Sequence, residues 1–177
     1  VAKQSWIDAA VKSMTTLNKA AAEVITCSRG GTGVSPVHAK QRSAPTGTKA
    51  QSPKPEAYSV HALTDITGFG LIGHAREMAL ASNVSLVIDS ASISVLEGAL
   101  ECIRAGYIPG GLKANREFAE CVVGYESNVP EDLRTLLFDP QTSGGLLLSV
   151  PSEQAGDLVQ RLKERGVQDA VIIGVVF

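Results

Sequence analysis

The stretch Leu63-Thr-Asp-Ile-Thr-Gly-Phe-Gly-Leu-Ile-Gly-His74 packs a carboxylate, two hydroxyls and three glycines against the apolar positions Leu71, Ile72, Ala75, Met78 and Ala79. Those positions recur at helical spacing, so the glycines fall at a helix entrance, where the backbone can turn sharply and approach a ligand closely. The first amides of a helix have no partner within it, and its N-terminus is therefore a ready seat for phosphate. Asp65, just upstream, is placed to hold Mg²⁺ against such a phosphate. The pattern predicts a metal-phosphate site with Asp65 as metal ligand and Thr67, Gly68, Phe69 and Gly70 shaping the loop. A second stretch, Leu137-Phe-Asp-Pro-Gln-Thr-Ser-Gly-Gly-Leu-Leu-Leu148, has the same ingredients ahead of an expected strand. Thr142 and Ser143 offer hydroxyl donors there, and the following glycines suit either a small anion nest or a tight turn.

Helical spacing also opens the chain. Trp6, Ile7, Ala10, Val11, Met14, Leu17, Ala21, Val24 and Ile25 predict one helix with this stripe as its core face, and Ser5 with Asp8 as a capping box. From Cys27 to Pro55 the periodicity vanishes: the tract holds four Gly, four Pro, five Lys or Arg and no Asp or Glu, a linker or disordered composition. Outside it, 11 basic residues face 18 acidic ones, so the tract is a basic insertion in an acidic domain. It lacks the interleaved aromatics that stack on bases, which argues against nucleic acid as its partner.

Downstream, strands are expected at Tyr58 to Thr64, Asn83 to Ile88, Leu146 to Val150 and Ala170 to Phe177. Helices are expected at Leu71 to Ala81, at Val95 to Arg104 before Gly106, at Pro130 to Leu137, and after a Ser152 cap with Ala155, Leu158, Val159 and Leu162 inward and Gly166 as stop. Their irregular alternation predicts an α+β layered domain rather than a regular doubly wound sheet. At 177 residues and 44% hydrophobic content, the chain can bury one ordinary core, which sets the expectation of a single domain over 1–177.

A net charge of −2 recruits neither nucleic acid nor an anionic membrane. No apolar run approaches the ~20 residues of a membrane span and no secretory leader is visible, so the expected compartment is the cytoplasm. Cys27, Cys102 and Cys121 lack metal-ligand spacing, and an odd count argues for reduced thiols.

Together the two dense motifs resemble selenophosphate synthetase (selenide, water dikinase), whose C-terminal half carries Thr-Asp-(Val/Ile)-Thr-Gly-Phe-Gly-Leu-x-Gly-His and Asp-Pro-Gln-Thr-Ser-Gly-Gly-Leu in this order. Pro109-Gly-Gly-Leu-Lys-Ala-Asn115 between them and Met14-Thr-Thr-Leu-Asn-Lys-Ala-Ala-Ala-Glu23 before them extend the match over nearly the whole chain outside the basic tract. The family is related to aminoimidazole ribonucleotide synthetase. The resemblance implies a C-terminal domain with a mixed β-sheet flanked by helices, and an enzyme that uses ATP, selenide, water and Mg²⁺. It implies Asp65 as a metal ligand. It places the redox-active Cys or selenocysteine, its companion Lys, most ATP contacts and two further metal-binding Asp residues in an N-terminal half absent from this chain. No catalytic residue is therefore assigned here. The start at Val1 without Met fits a fragment or a trimmed chain equally. A homodimer is expected only of the complete protein.

Two rivals follow from the same residues. Gly68-Phe-Gly-Leu-Ile-Gly73 satisfies the dinucleotide-binding G-x-G-x-x-G pattern, with Asp89 near the ribose-binding offset, although the polar Thr64, Asp65 and Thr67 fit that strand poorly. The other rival is a noncatalytic binding module or nonfunctional gene fragment. No Walker lysine follows the glycines, which excludes a P-loop. His74, one turn into its helix, is expected to pack rather than act as a base.

Overall fold

The computed structural model describes residues 2–26 and 58–177. The expected basic insertion, 27–55, lies outside the described residues.

The chain opens with two helices where the periodicity predicts one: α1 (Gln4–Thr15) and α2 (Lys19–Thr26). Threonines accompany the break. Thr15 Oγ1 donates to the Val11 carbonyl at 2.9 Å and Thr16 Oγ1 to the Lys12 carbonyl at 2.7 Å, bonds that compete with the backbone ladder. The expected capping box does not form, because the helix starts two residues early, with Lys3 at the cap position, and Asp8 accepts from Gln4 Nε2 at 2.9 Å. Nor is the stripe a core face. Ile7, Val11, Met14 and Leu17 are 44 to 75% exposed, and of the stripe only Ala21 is buried. α1 instead leans on the domain through Trp6, whose ring lies so close to Gly98 that a Cβ there would sit 2.1 Å from a ring carbon.

β1 (Ala62–Asp65) pairs antiparallel with β3 (Leu146–Ser149), placing Asp65 opposite Leu146. β2 (Leu86–Ile88) pairs antiparallel with β4 (Gly174–Val176). The α+β class is as expected. Among the described residues, however, the strands form two separate ladders in place of one mixed sheet, because β1 and β2 each find a partner near the C-terminus and not each other. β2 stops at Ile88 because the Asp89 carboxylate accepts from Ala91 N–H at 3.0 Å and Ser92 Oγ at 2.6 Å, winding the chain into a 3₁₀ turn. The Ser92 bond, then the Ala91 bond, holds the Asp89 carboxyl below its ordinary range.

Along the chain, α3 (Gly70–Ser82) connects β1 to β2, and α4 (Ala99–Arg104), α5 (Gly110–Ala119) and α6 (Glu131–Leu136) follow between β2 and β3. α3 ends at Asn83, whose left-handed backbone caps the helix. α4 starts later than predicted because Gly98, at φ +83°, cannot continue a helix. α5 is absent from the expectations, since paired glycines at its start mask it, yet Leu112, Asn115 and Ala119 bury one face at helical spacing. In α7 (Ser152–Glu164) the cap position is Pro151, so Ser152 is the first helical residue and not the predicted cap. Leu158 and Leu162 are buried as expected, and Gly166 follows the helix at φ +90°.

Two apolar clusters support these elements. Ile72, Leu112, Ala119, Leu137 and Phe138 lie beneath the glycine-rich loops. Ala21, Leu158 and Leu162 join α2 to α7. Phe138 and Leu112 are the largest fully buried side chains.

Candidate functional site

The β1–α3 loop and the loop before β3 are laced together by backbone. Ile66 N–H donates to the Gly145 carbonyl at 2.9 Å, Gly144 N–H to the Ile66 carbonyl at 3.0 Å, and Gln141 N–H to the Thr67 carbonyl at 3.0 Å. A Cβ on Gly144 would sit 2.2 Å from the Ile66 oxygen, so this approach requires glycine. The other two motif segments reach the same place. Asn18, between α1 and α2, donates through Nδ2 to the Gly144 carbonyl at 3.1 Å, and Ser143 Oγ lies 3.5 Å from the Thr16 carbonyl. On α5, Asn115 Nδ2 bonds the Gly68 carbonyl at 2.9 Å and the Phe138 carbonyl at 3.0 Å. Four stretches scattered through the sequence thus converge on one patch.

The glycines divide by purpose. Gly70 has φ +69°, and a Cβ there would lie 2.7 Å from the Phe138 carbonyl carbon. Gly73 leaves room for Phe69, whose Cβ would be 2.6 Å away. These two serve packing. Gly68 and Gly145 face open space, with nothing within 4 Å of an added Cβ.

Two of the first amides of α3, expected to be free for a phosphate, are engaged within the chain. Gly70 N–H is taken by the Thr67 carbonyl of its own loop at 3.0 Å, a local turn, and Ile72 N–H by the Leu137 carbonyl at 3.1 Å, where α3 packs onto the second motif. The open backbone lies one step earlier, in the loop itself.

Asp65 ends β1 exposed, and among the described residues no donor bonds its carboxylate. No group of three or more His, Cys, Asp or Glu able to hold a metal occurs among the described residues. A lone carboxylate fits Mg²⁺ as one ligand, since that ion completes its shell with water and phosphate oxygens. Thr142 is exposed beside this patch. Phe69 is 47% exposed, its ring 6.2 Å from Phe118 and 5.5 Å from His74. His74 is buried, with Nε2 3.2 Å from Thr67 Oγ1 and Nδ1 3.5 Å from Glu77, the packing role its position predicts. Asp139 is half-buried, and burial pushes its carboxyl up from the ordinary range while Gln141 Nε2, at 3.0 Å, partly offsets this.

Asn18, Asn115 and Gln141 received no role from sequence, although each stands inside one of the matching motifs. Only their position marked them. The dinucleotide alternative fails on topology: β1 and β2 belong to different antiparallel ladders, and the Asp89 carboxylate is engaged in its own turn.

Residues 17–177 match the family described as AIR synthase related protein, C-terminal domain, and the chain belongs to that family. Among its relatives, a protein of Clostridioides difficile named selenide, water dikinase is 46% identical over 121 residues, which is 68% of this chain and 35% of that protein. The protein of the same name from Caldanaerobacter subterraneus is 47% identical over 66% of this chain and 34% of its own length. That from Agathobacter rectalis is 35% identical over 94% of this chain and 40% of its own. The chain spans about a third of the length of the first two of these curated relatives. No helix among the described residues is long and apolar enough to cross a membrane.

Proposed function

We propose that this chain supplies the C-terminal part of an ATP-dependent enzyme that converts ATP, selenide and water to selenophosphate, AMP and orthophosphate. The convergence of all four motif segments on one patch carries the reading, and the shared name of the relatives supports it. Phosphoryl transfer is chiefly positioning and charge neutralisation, so one carboxylate and a shaped loop can be necessary to it without being sufficient. Asp65 would hold Mg²⁺, whose chemistry is to neutralise phosphate oxygens. Thr67, Gly68, Phe69 and Gly70 shape the neighbouring loop, and Thr142 and Ser143 supply hydroxyl donors. A separate N-terminal domain would bring the Cys or selenocysteine, its Lys and the remaining metal ligands. We place the complete enzyme in the cytoplasm, as a homodimer.

A chimera tests this reading: the chain replaces the corresponding segment of the Clostridioides difficile relative. Selenide-dependent AMP formation is the expected result. A folded chimera without it would leave a noncatalytic module as the better account. The isolated chain is expected to form no AMP from ATP with selenide and Mg²⁺, measured by phosphorus NMR, because a single carboxylate cannot assemble the site.

The basic tract is proposed to be an insertion the fold tolerates losing. Loop-closure cost grows only logarithmically with length, so removing residues 27–55 should shift the thermal midpoint by no more than about 3 °C. A deletion variant that fails to unfold cooperatively would make the tract part of the core.

A further inference from the structure

Asn115 is buried on α5, and both of its Nδ2 hydrogen bonds go to carbonyls of the glycine-rich loops, Gly68 on one side and Phe138 on the other. A trans peptide holds its C=O and its N–H on opposite sides, and no cis peptide occurs among the described residues. With the Gly68 oxygen turned toward α5, the Phe69 N–H of the same peptide is turned away from it. The Phe69 N–H has no acceptor among the described residues; further along, the Gly70 and Ile72 amides are engaged, while the Leu71 N–H also has none. Gly68 itself borders open space, with nothing within 4 Å of an added Cβ.

We propose that Asn115 is a positioning residue that locks the Gly68–Phe69 peptide, so that the Phe69 amide is presented to a phosphate oxygen of the nucleotide. The inference rests on the phosphate reading of this loop and deepens it by naming the donor and the side chain that aims it. Glycine makes the lock necessary. A Gly68 peptide is free to rotate, and an amide that must reorient before it binds loses the advantage of preorganisation. Asn115 removes that freedom from within the core, without touching the ligand. Its second bond, to Phe138, ties the same helix to the second loop and keeps the two motifs in register.

Three proteins compared in the chimera separate this role from simple stabilisation: Asn115→Leu, which keeps the shape and loses both donors, Asn115→Gln, which keeps the donors, and Leu112→Val, which loosens the packing of the same face of α5 but leaves both Asn115 hydrogen bonds in place. Asn115→Leu is expected to raise the KM for MgATP about ten-fold, the effect of roughly one aimed donor. Asn115→Gln should recover part of that loss, and Leu112→Val should lower the thermal midpoint with KM unchanged. In the isolated chain, amide exchange observed by NMR should change at Phe69 in Asn115→Leu and not in Leu112→Val. An unchanged KM in Asn115→Leu, or KM rising in step with lost stability in Leu112→Val, would overturn the proposal. Should the unsubstituted chimera make no selenophosphate, the functional reading falls by itself. The peptide lock is still decided by exchange at Phe69, and unchanged exchange in Asn115→Leu refutes it.

Discussion

Phe138→Ala is expected to lower stability by about 3–5 kcal/mol, the cost of emptying a fully buried aromatic site that its surroundings cannot refill. The ring is 0% exposed and packs with Ile72, Leu112, Ala119 and Leu137. Its backbone is committed as well: the carbonyl accepts from Asn115 at 3.0 Å, and its carbonyl carbon would lie 2.7 Å from a Cβ on Gly70. Removing the ring therefore loosens the floor on which both loops rest. Thermal denaturation of the isolated chain should show a midpoint lower by roughly 10 °C or more. Phe138→Leu keeps most of the volume and should recover more than half of that loss. A midpoint within about 2 °C of the parent for Phe138→Ala would mean the cluster beneath the site does not hold the fold together.

What could be read from sequence follows a physical division. α3 and α7 were legible because their inward residues, Ile72 and Ala75 in one and Leu158 and Leu162 in the other, repeat at helical spacing. Strands were visible as apolar runs, and β2 ends at Ile88 as expected, but it starts at Leu86 and not at Asn83. Asn83 is spent on capping α3 with a left-handed backbone, a local demand that periodicity does not register. α5 was hidden by glycines whose propensity opposes a helix, and tertiary packing through Leu112 and Ala119 overrides that preference. α1 misled in the opposite direction. Its stripe of Ile7, Val11 and Met14 has the spacing of a core face, yet the helix meets the domain through Trp6 instead.

The candidate site was legible as composition and illegible as geometry. Asp65, Thr67 and Thr142 announce polar chemistry beside glycines, and the structure brings their two segments together. Which glycines serve packing and which leave space emerged only from the atoms that an added Cβ would meet at Gly70 and Gly73 but not at Gly68. Asn115 was illegible as a clamp because its partners are backbone carbonyls of residues remote in sequence.

Asp65 carries the central claim. An amide at this exposed position keeps the shape and leaves the β1–β3 ladder intact, so Asp65→Asn should leave the thermal midpoint within about 2 °C of the parent. It removes the negative charge proposed to hold Mg²⁺. In the chimera, kcat/KM for selenophosphate formation at limiting Mg²⁺ should fall about 100-fold, roughly 2.7 kcal/mol of lost transition-state stabilisation. Thr142→Val is the companion variant and should lose less, since it removes one exposed hydroxyl and no charge. The decisive measurement is the Mg²⁺ dependence of selenophosphate formation in the Asp65→Asn chimera beside its parent. The account predicts a folded protein whose activity is depressed and whose metal requirement moves to higher Mg²⁺. Near-normal activity at saturating Mg²⁺, with the metal dependence unchanged, would contradict it and leave Asp65 as a residue of the turn.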